Sequence, residues 1–128
     1  MSAEPVTVLI VDDQDPFRNV ARAVVNATPG FEVVDDAATG EDAVAKADAS
    51  RPDVVLMDIN LPGINGMEAT RQILATHPGA VVILLSTYAK SDLPANSLDC
   101  GAVSYVHKED FGPWVLEETW EGHAPSRA

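Results

Sequence analysis

The sequence predicts an α/β domain. A single (βα)₅ unit forms a doubly wound, parallel five-stranded sheet covered by helices on both faces. Three observations carry that expectation. Five apolar runs of strand length alternate with segments of helical periodicity. Three of the runs are apolar at nearly every position, as in strands covered on both sides. Finally, 128 residues, 46% hydrophobic and 22% charged, suit one globular domain with a sizeable core.

The elements follow in order. VTVLIV (6–11) is the first strand. Asp15 before Pro16 reads as a helix N-cap with proline at the first helical position. Phe17, Val20, Ala21, Val24 and Val25 then recur at helical spacing until Thr28-Pro29-Gly30 ends the run. FEVV (31–34) is the second strand. Thr39 followed by Asp42 resembles a capping box and opens a second helix, with Ala43, Val44 and Ala47 inward. DVVLMD (53–58) is the third strand. Asn65 and Glu68 repeat the capping pattern and open a third helix, which stops at His77 before Pro78. AVVILLS (80–86) is the fourth strand, and residues 92–100 form a short fourth helix with Pro94 in its first turn. AVSYVH (102–107) is the fifth strand, and a fifth helix spans 111–121. The expected organisation is a single domain over 1–128, with its core at 5–121 and a flexible tail at 122–128.

Composition excludes several functions. Twenty acidic residues against eight basic ones give a formal charge of −12, which disfavours direct nucleic-acid binding by this domain. No apolar run approaches the roughly 20 residues that span a bilayer. The opening MSAEPVTV lacks the basic-then-apolar pattern of a secretion signal, so a cytoplasmic location is expected. The single cysteine, Cys100, excludes an internal disulfide and reads as a small core residue. His77, His107 and His123 lack the close spacing of a zinc site. Asp35-Asp36 and Glu117-Glu118 read as solvated surface. Trp114 and Trp120 read as packing for the last helix, and an exposed one would mark a partner surface.

In parallel sheets of this kind, ligands sit outside the carboxyl ends of the strands. Here those ends are Val11-Asp12-Asp13, Met57-Asp58, Leu85-Ser86-Thr87 and His107-Lys108. Three clustered acids repel one another, and burial drives protons onto them unless a cation intervenes. Oxygen-only ligands suit a hard ion such as Mg²⁺, which takes one or two carboxylates and phosphate oxygens and keeps several waters. With the Lys108 ammonium and the Ser86 hydroxyl, the set describes a phosphoryl site. Asp58 is the candidate nucleophile, since a carboxylate can attack phosphorus to give an acyl phosphate.

The segments VLIVDDQ (8–14), VVLMDINLPGINGME (54–68), VVILLSTYA (81–89) and GAVSYVHK (101–108) resemble, in this order and spacing, the receiver domain of the two-component response-regulator family. The likeness runs from Val6 to Trp120. It implies the flavodoxin-like receiver fold and a phosphorelay signalling role, in which Asp58 accepts a phosphoryl group from a sensor histidine kinase or a histidine phosphotransfer protein. It implies that Asp13, Asp58 and the backbone carbonyl of Asn60 hold Mg²⁺, with Asp12 acting through water. Ser86 would bond a phosphoryl oxygen and Lys108 would pair with it. Thr87 competes for the hydroxyl role, although alignment favours Ser86. Tyr105 matches an aromatic that changes rotamer as the hydroxyl moves. Asn60 and Tyr88 match the positions that control phosphate lifetime, a bulky Tyr88 obstructing the attacking water. A downstream protein would read the face built from the fourth helix, fifth strand and fifth helix, and the resemblance allows a homodimer on phosphorylation.

One departure concerns the lysine. Receivers often carry proline after it, frequently in cis, whereas Glu109 follows Lys108 here, so a trans peptide and a different loop are expected. The resemblance implies a signalling phosphoacceptor with intrinsic self-phosphorylation and self-dephosphorylation chemistry, and not an enzyme with external turnover. No output domain is expected within the tail after the last helix, which suits a single-domain regulator or a receiver from a longer protein. A small Mg²⁺-dependent aspartyl phosphatase would place a second aspartate where Asn60 stands. A pseudo-receiver, binding partners without phosphate, sits poorly with the full set Asp12, Asp13, Asp58, Ser86 and Lys108. Flavodoxin-like cofactor binding lacks its Gly/Ser/Thr-rich phosphate loop after the first strand.

Overall fold

The computed structural model describes residues 4–87 and 97–123. Strands β1 (Val6–Val11), β2 (Phe31–Ala37), β3 (Val54–Asp58), β4 (Val81–Ser86) and β5 (Ser104–His107) form one parallel sheet in the order β2-β1-β3-β4-β5. The helices are α1 (Asp15–Ala27), α2 (Gly40–Ser50), α3 (Gly66–Thr76) and α4 (Pro113–His123). Thus α4 is the fifth helix of the sequence reading. The expected fourth helix falls mostly outside the described residues, and Ser97–Cys100 alone is described there, as a 3₁₀ turn.

The period of two in a strand sends alternate side chains to opposite faces. Val8, Ile10, Leu56, Ile83 and Leu85 therefore pack with Ala21 and Val25 of α1 and Val115 and Leu116 of α4. Leu9, Val11, Val55, Met57 and Leu84 pack on the other side with Ala43, Ala47, Ala69 and Ile73 of α2 and α3. All five residues of β3 are buried, which explains its unbroken apolar run. Each such aliphatic side chain contributes about 1.5–3 kcal/mol on burial.

Local signals work at α2 and α3. Thr39 Oγ1 accepts the Asp42 N–H at 3.0 Å and Asn65 Oδ1 accepts that of Glu68 at 2.9 Å, each satisfying an orphan donor of a first turn. The α1 expectation is corrected. Asp15 is already helical, the cap position belongs to Gln14 without a side-chain bond, and Asp15 pairs with Arg18. Strand β2 also runs three residues beyond the four expected, to Ala37. A register shift between Val8 and Leu9 skips Val34 and carries Asp35 and Asp36 into pairing with Leu9 and Ile10. That pair is half-buried and not merely solvated, because Asp36 binds Arg22 and Asp35 binds Lys46 at 3.5 Å. Cys100 is buried, and Trp120 packs against the core while Trp114 is 64% exposed.

Candidate functional site

The strand order reverses between β1 and β3, so the site forms where their carboxyl ends lie side by side. Asp12 and Asp13 leave β1, and Asp58 ends β3. Carboxylate oxygens of the three lie within 4.8 Å of one another, with Asp12 and Asp58 buried and Asp13 exposed. A set of closely placed oxygen donors, part buried and part open to water, fits a hard divalent cation.

Each acid is oriented separately. Asp12 Oδ1 accepts the Gln14 N–H at 2.8 Å, and its Oδ2 accepts the Lys108 ammonium at 2.5 Å. Asp58 Oδ1 accepts the Asn60 N–H at 3.3 Å, and its Oδ2 stands 3.6 Å from the Lys108 ammonium. Burial pushes the Asp58 carboxyl up to about 6 from an ordinary 3.8, and the charge of Asp12 adds to the effect. Lys108 and the Asn60 N–H pull it back, while Asp13 adds a further upward push.

The loop after Asp58 is held tightly. Gly66 opens α3 so close to the strand that a Cβ there would overlap the Asp58 carbonyl oxygen. Gly63 has φ +76°, and the Glu41 carboxylate lies over it while accepting the Ile64 N–H at 3.2 Å. The exposed Asn60 thus sits on a segment fixed at both ends.

A cavity of about 180 Å³ opens beside these groups, lined by Asp13, Gln14, Asp58, Asn60, Thr87 and Lys108. Ser86 ends β4 and is buried, whereas Thr87 is exposed on the cavity wall. Tyr105 is half-buried on β5, packed against the α2/α3 side of the core. Tyr88 lies outside the described residues. The fold therefore brings together Asp12, Asp13, Asp58, Asn60, Thr87 and Lys108, with Ser86 beside them in the chain.

Three contributors escaped the sequence reading. Phe17 of α1 lies under the Lys108 ammonium, 4.5 Å from ring centroid to nitrogen, a cation–π contact that steadies the side chain. Its place in the apolar helical pattern disguised it as plain core. Glu41 carries no signal of its own in the sequence, and His107 reads there as a strand end. Separately, His77 Nε2 meets the Pro52 carbonyl oxygen at 2.7 Å, which ties the end of α3 to the start of β3. The peptide after Lys108 is trans, as expected, and no cis bond occurs among the described residues.

With the acids, the lysine and the switch-point cavity defined, the family follows. A family model for the response regulator receiver domain matches residues 8–117, and the chain belongs to that family of two-component signalling proteins. It is 38% identical to the transcriptional regulatory protein DegU of Brevibacillus brevis over 112 residues, 88% of this chain and 48% of that protein. It is 39% identical to the response regulator GacA of Pseudomonas viridiflava over 103 residues, 80% of this chain and 48% of that one. The chain thus spans about half the length of the curated relatives it matches. Among solved structures it resembles the response regulator domain of Thermotoga maritima CheB, with TM-score 0.80, 32% identity, and coverage of 92% of this chain and 96% of that one. A chain of the CheX-CheY-BeF3-Mg+2 complex from Borrelia burgdorferi matches with TM-score 0.83 and 29% identity, over 95% of this chain and 92% of its own.

Proposed function

We propose that the domain is a phosphoacceptor in which Asp58 is esterified by a phosphoryl group from a phosphohistidine on a partner kinase or phosphotransfer protein. The observation that carries this reading is the buried Asp58 carboxylate, which opens on a cavity shared with Asp13, Asn60 and Lys108. An Asp58 oxygen forms the new P–O bond as the P–N bond to the donor imidazole breaks. The bonding pair stays on the imidazole nitrogen, which leaves as a neutral ring after protonation. Asp13, Asp58 and the Asn60 carbonyl would hold Mg²⁺, with Asp12 reaching it through water. The bound ion supplies neutralisation of the acids and of the transferring oxygens. Lys108 exchanges its contact with Asp58 for a phosphoryl oxygen, and Ser86 or Thr87 donates to another.

Esterification changes the charge at the strand ends and biases a two-state equilibrium in which the hydroxyl loop and Tyr105 move together. A downstream protein reads the result on the face of β5 and α4. The exposed Trp114 and a groove of about 510 Å³ lined by Tyr105, Asp110, Trp114 and Glu118 support that assignment. Asn60 and Tyr88 control how long the acyl phosphate lasts by limiting water.

Incubation with acetyl phosphate and Mg²⁺, followed by intact mass, tests the reading. One phosphoryl group on the parent and none on Asp58→Ala is expected. Rapid turnover of a phosphomonoester would instead make the domain a phosphatase. An unlabelled parent would leave a pseudo-receiver.

A further inference from the structure

Two walls of the cavity lie just beyond the last register pair of β4 and β5, Ser86 with His107. Thr87 follows β4 and Lys108 follows β5. One side chain bridges them. His107 Nε2 meets the Thr87 carbonyl oxygen at 2.9 Å, and its Nδ1 accepts the Glu109 N–H at 3.2 Å. The second bond makes His107 the cap of the 3₁₀ turn Lys108–Asp110. Together they fix the tautomer: Nδ1 must carry the lone pair, so Nε2 carries the proton and donates to Thr87.

We propose that His107 is a positioning residue for phosphoryl transfer, its neutral ring locking the lysine turn to the Thr87 peptide so that Lys108 and Thr87 approach the acceptor in fixed register. The proposal rests on the reading of Asp58 as phosphoacceptor. Lys108 begins the turn that His107 caps, and from there its ammonium reaches Asp12 at 2.5 Å and Asp58 at 3.6 Å. The Thr87 peptide, held by the same ring, directly follows β4 and lines the cavity. Neither bond touches a carboxylate of the cluster, so loss of the ring misplaces donors without removing a metal ligand. A phosphoryl transfer depends on such placement, because its catalysis is largely positioning.

The two bonds separate by substitution. Asparagine at 107 sets a carboxamide oxygen near the position of Nδ1 and keeps the turn cap alone. Glutamine sets an NH₂ near Nε2 and keeps the link to Thr87 alone. The experiment measures the rate of acetyl-phosphate labelling by intact mass, and Mg²⁺ affinity by calorimetry, for the parent, His107→Ala, His107→Asn, His107→Gln and Asp58→Asn. His107→Ala should label about five- to tenfold more slowly, the cost of lost hydrogen bonds, with unchanged Mg²⁺ affinity. Asparagine and glutamine should each recover part of the rate. The proposal is overturned if His107→Ala labels at the parental rate. It is equally overturned if its loss is accompanied by weaker Mg²⁺ binding and neither polar variant recovers any rate. If alanine unfolds the domain, comparison of the two near-isosteric variants with the parent decides. Failure of the phosphoacceptor reading itself looks different, since the parent would then label no more than Asp58→Asn.

Discussion

At the scale of single residues, Asp58 carries the largest electrostatic conflict in the site. Its carboxyl is raised from 3.8 to about 6 by burial and by Asp12, so in the metal-free protein its charge opposes folding. The sign follows from linkage. Below pH 4 both folded and unfolded states hold the proton and nothing is lost. Between pH 4 and 6 the unfolded chain ionises first, and the folded state loses ground until ionisation is complete in both. Two pH units correspond to roughly 3 kcal/mol. Asp58→Asn should therefore melt higher than the parent in Mg²⁺-free buffer at pH 7–8, and the gap should close as pH falls towards 4. Calorimetric melting at several pH values measures it, and an unchanged gap across that range would contradict the burial argument. Asp12, Asp13, Asp58 and Lys108 were legible because each ends a strand run. Phe17 and His107 were not, since an aromatic at helical spacing and a histidine at a strand end have ordinary structural explanations. Only the crossing of chain segments gives either one a partner in the site.

Among the elements, the β3–α3 connection is the most constrained. Gly66 abuts the carbonyl of Asp58, Gly63 adopts a left-handed φ, and Glu41 of α2 clamps the stretch between Asn60 and α3. Gly66→Ala must push α3 off the strand or twist the Asp58 peptide. A loss of about 2–4 kcal/mol in chemical denaturation and a large drop in acetyl-phosphate labelling are expected. A variant as stable and as reactive as the parent would show that the loop has room to spare. Polar caps made the starts of α2 and α3 readable. At α1 the same logic failed, because Asp15 found a salt bridge to Arg18 and the cap position passed to Gln14. Strand β2 was read short because its second half is acidic. Arg22 and Lys46 neutralise that half, and neither is near it in sequence.

For the molecule as a whole, alternation of period-two and helical patterns was enough to anticipate one parallel sheet with two covered faces. Strand order was not written in any single segment, and it is the order β2-β1-β3-β4-β5 that sets β1 beside β3 and so creates the acidic cluster. A net charge of −12, part of it concentrated at this cluster, predicts that divalent cations stabilise the fold beyond ionic screening. Ten millimolar Mg²⁺ should raise the melting temperature more than an equal ionic strength of NaCl, by the mass-action term for a ligand bound to the folded state alone. In Asp13→Ala the excess should shrink or vanish. Equal shifts from the two salts in the parent would argue for screening alone.

The contact between Asp12 and Lys108 joins positions 96 residues apart in the chain. The acids come from the ends of the first and third strands, whereas the ammonium that faces them follows the fifth. Until β5 docks on β4, the three acids face one another without the Lys108 ammonium, an uncompensated cluster of negative charge. The charge balance of the cluster is thereby tied to completion of the whole sheet and not to any one strand.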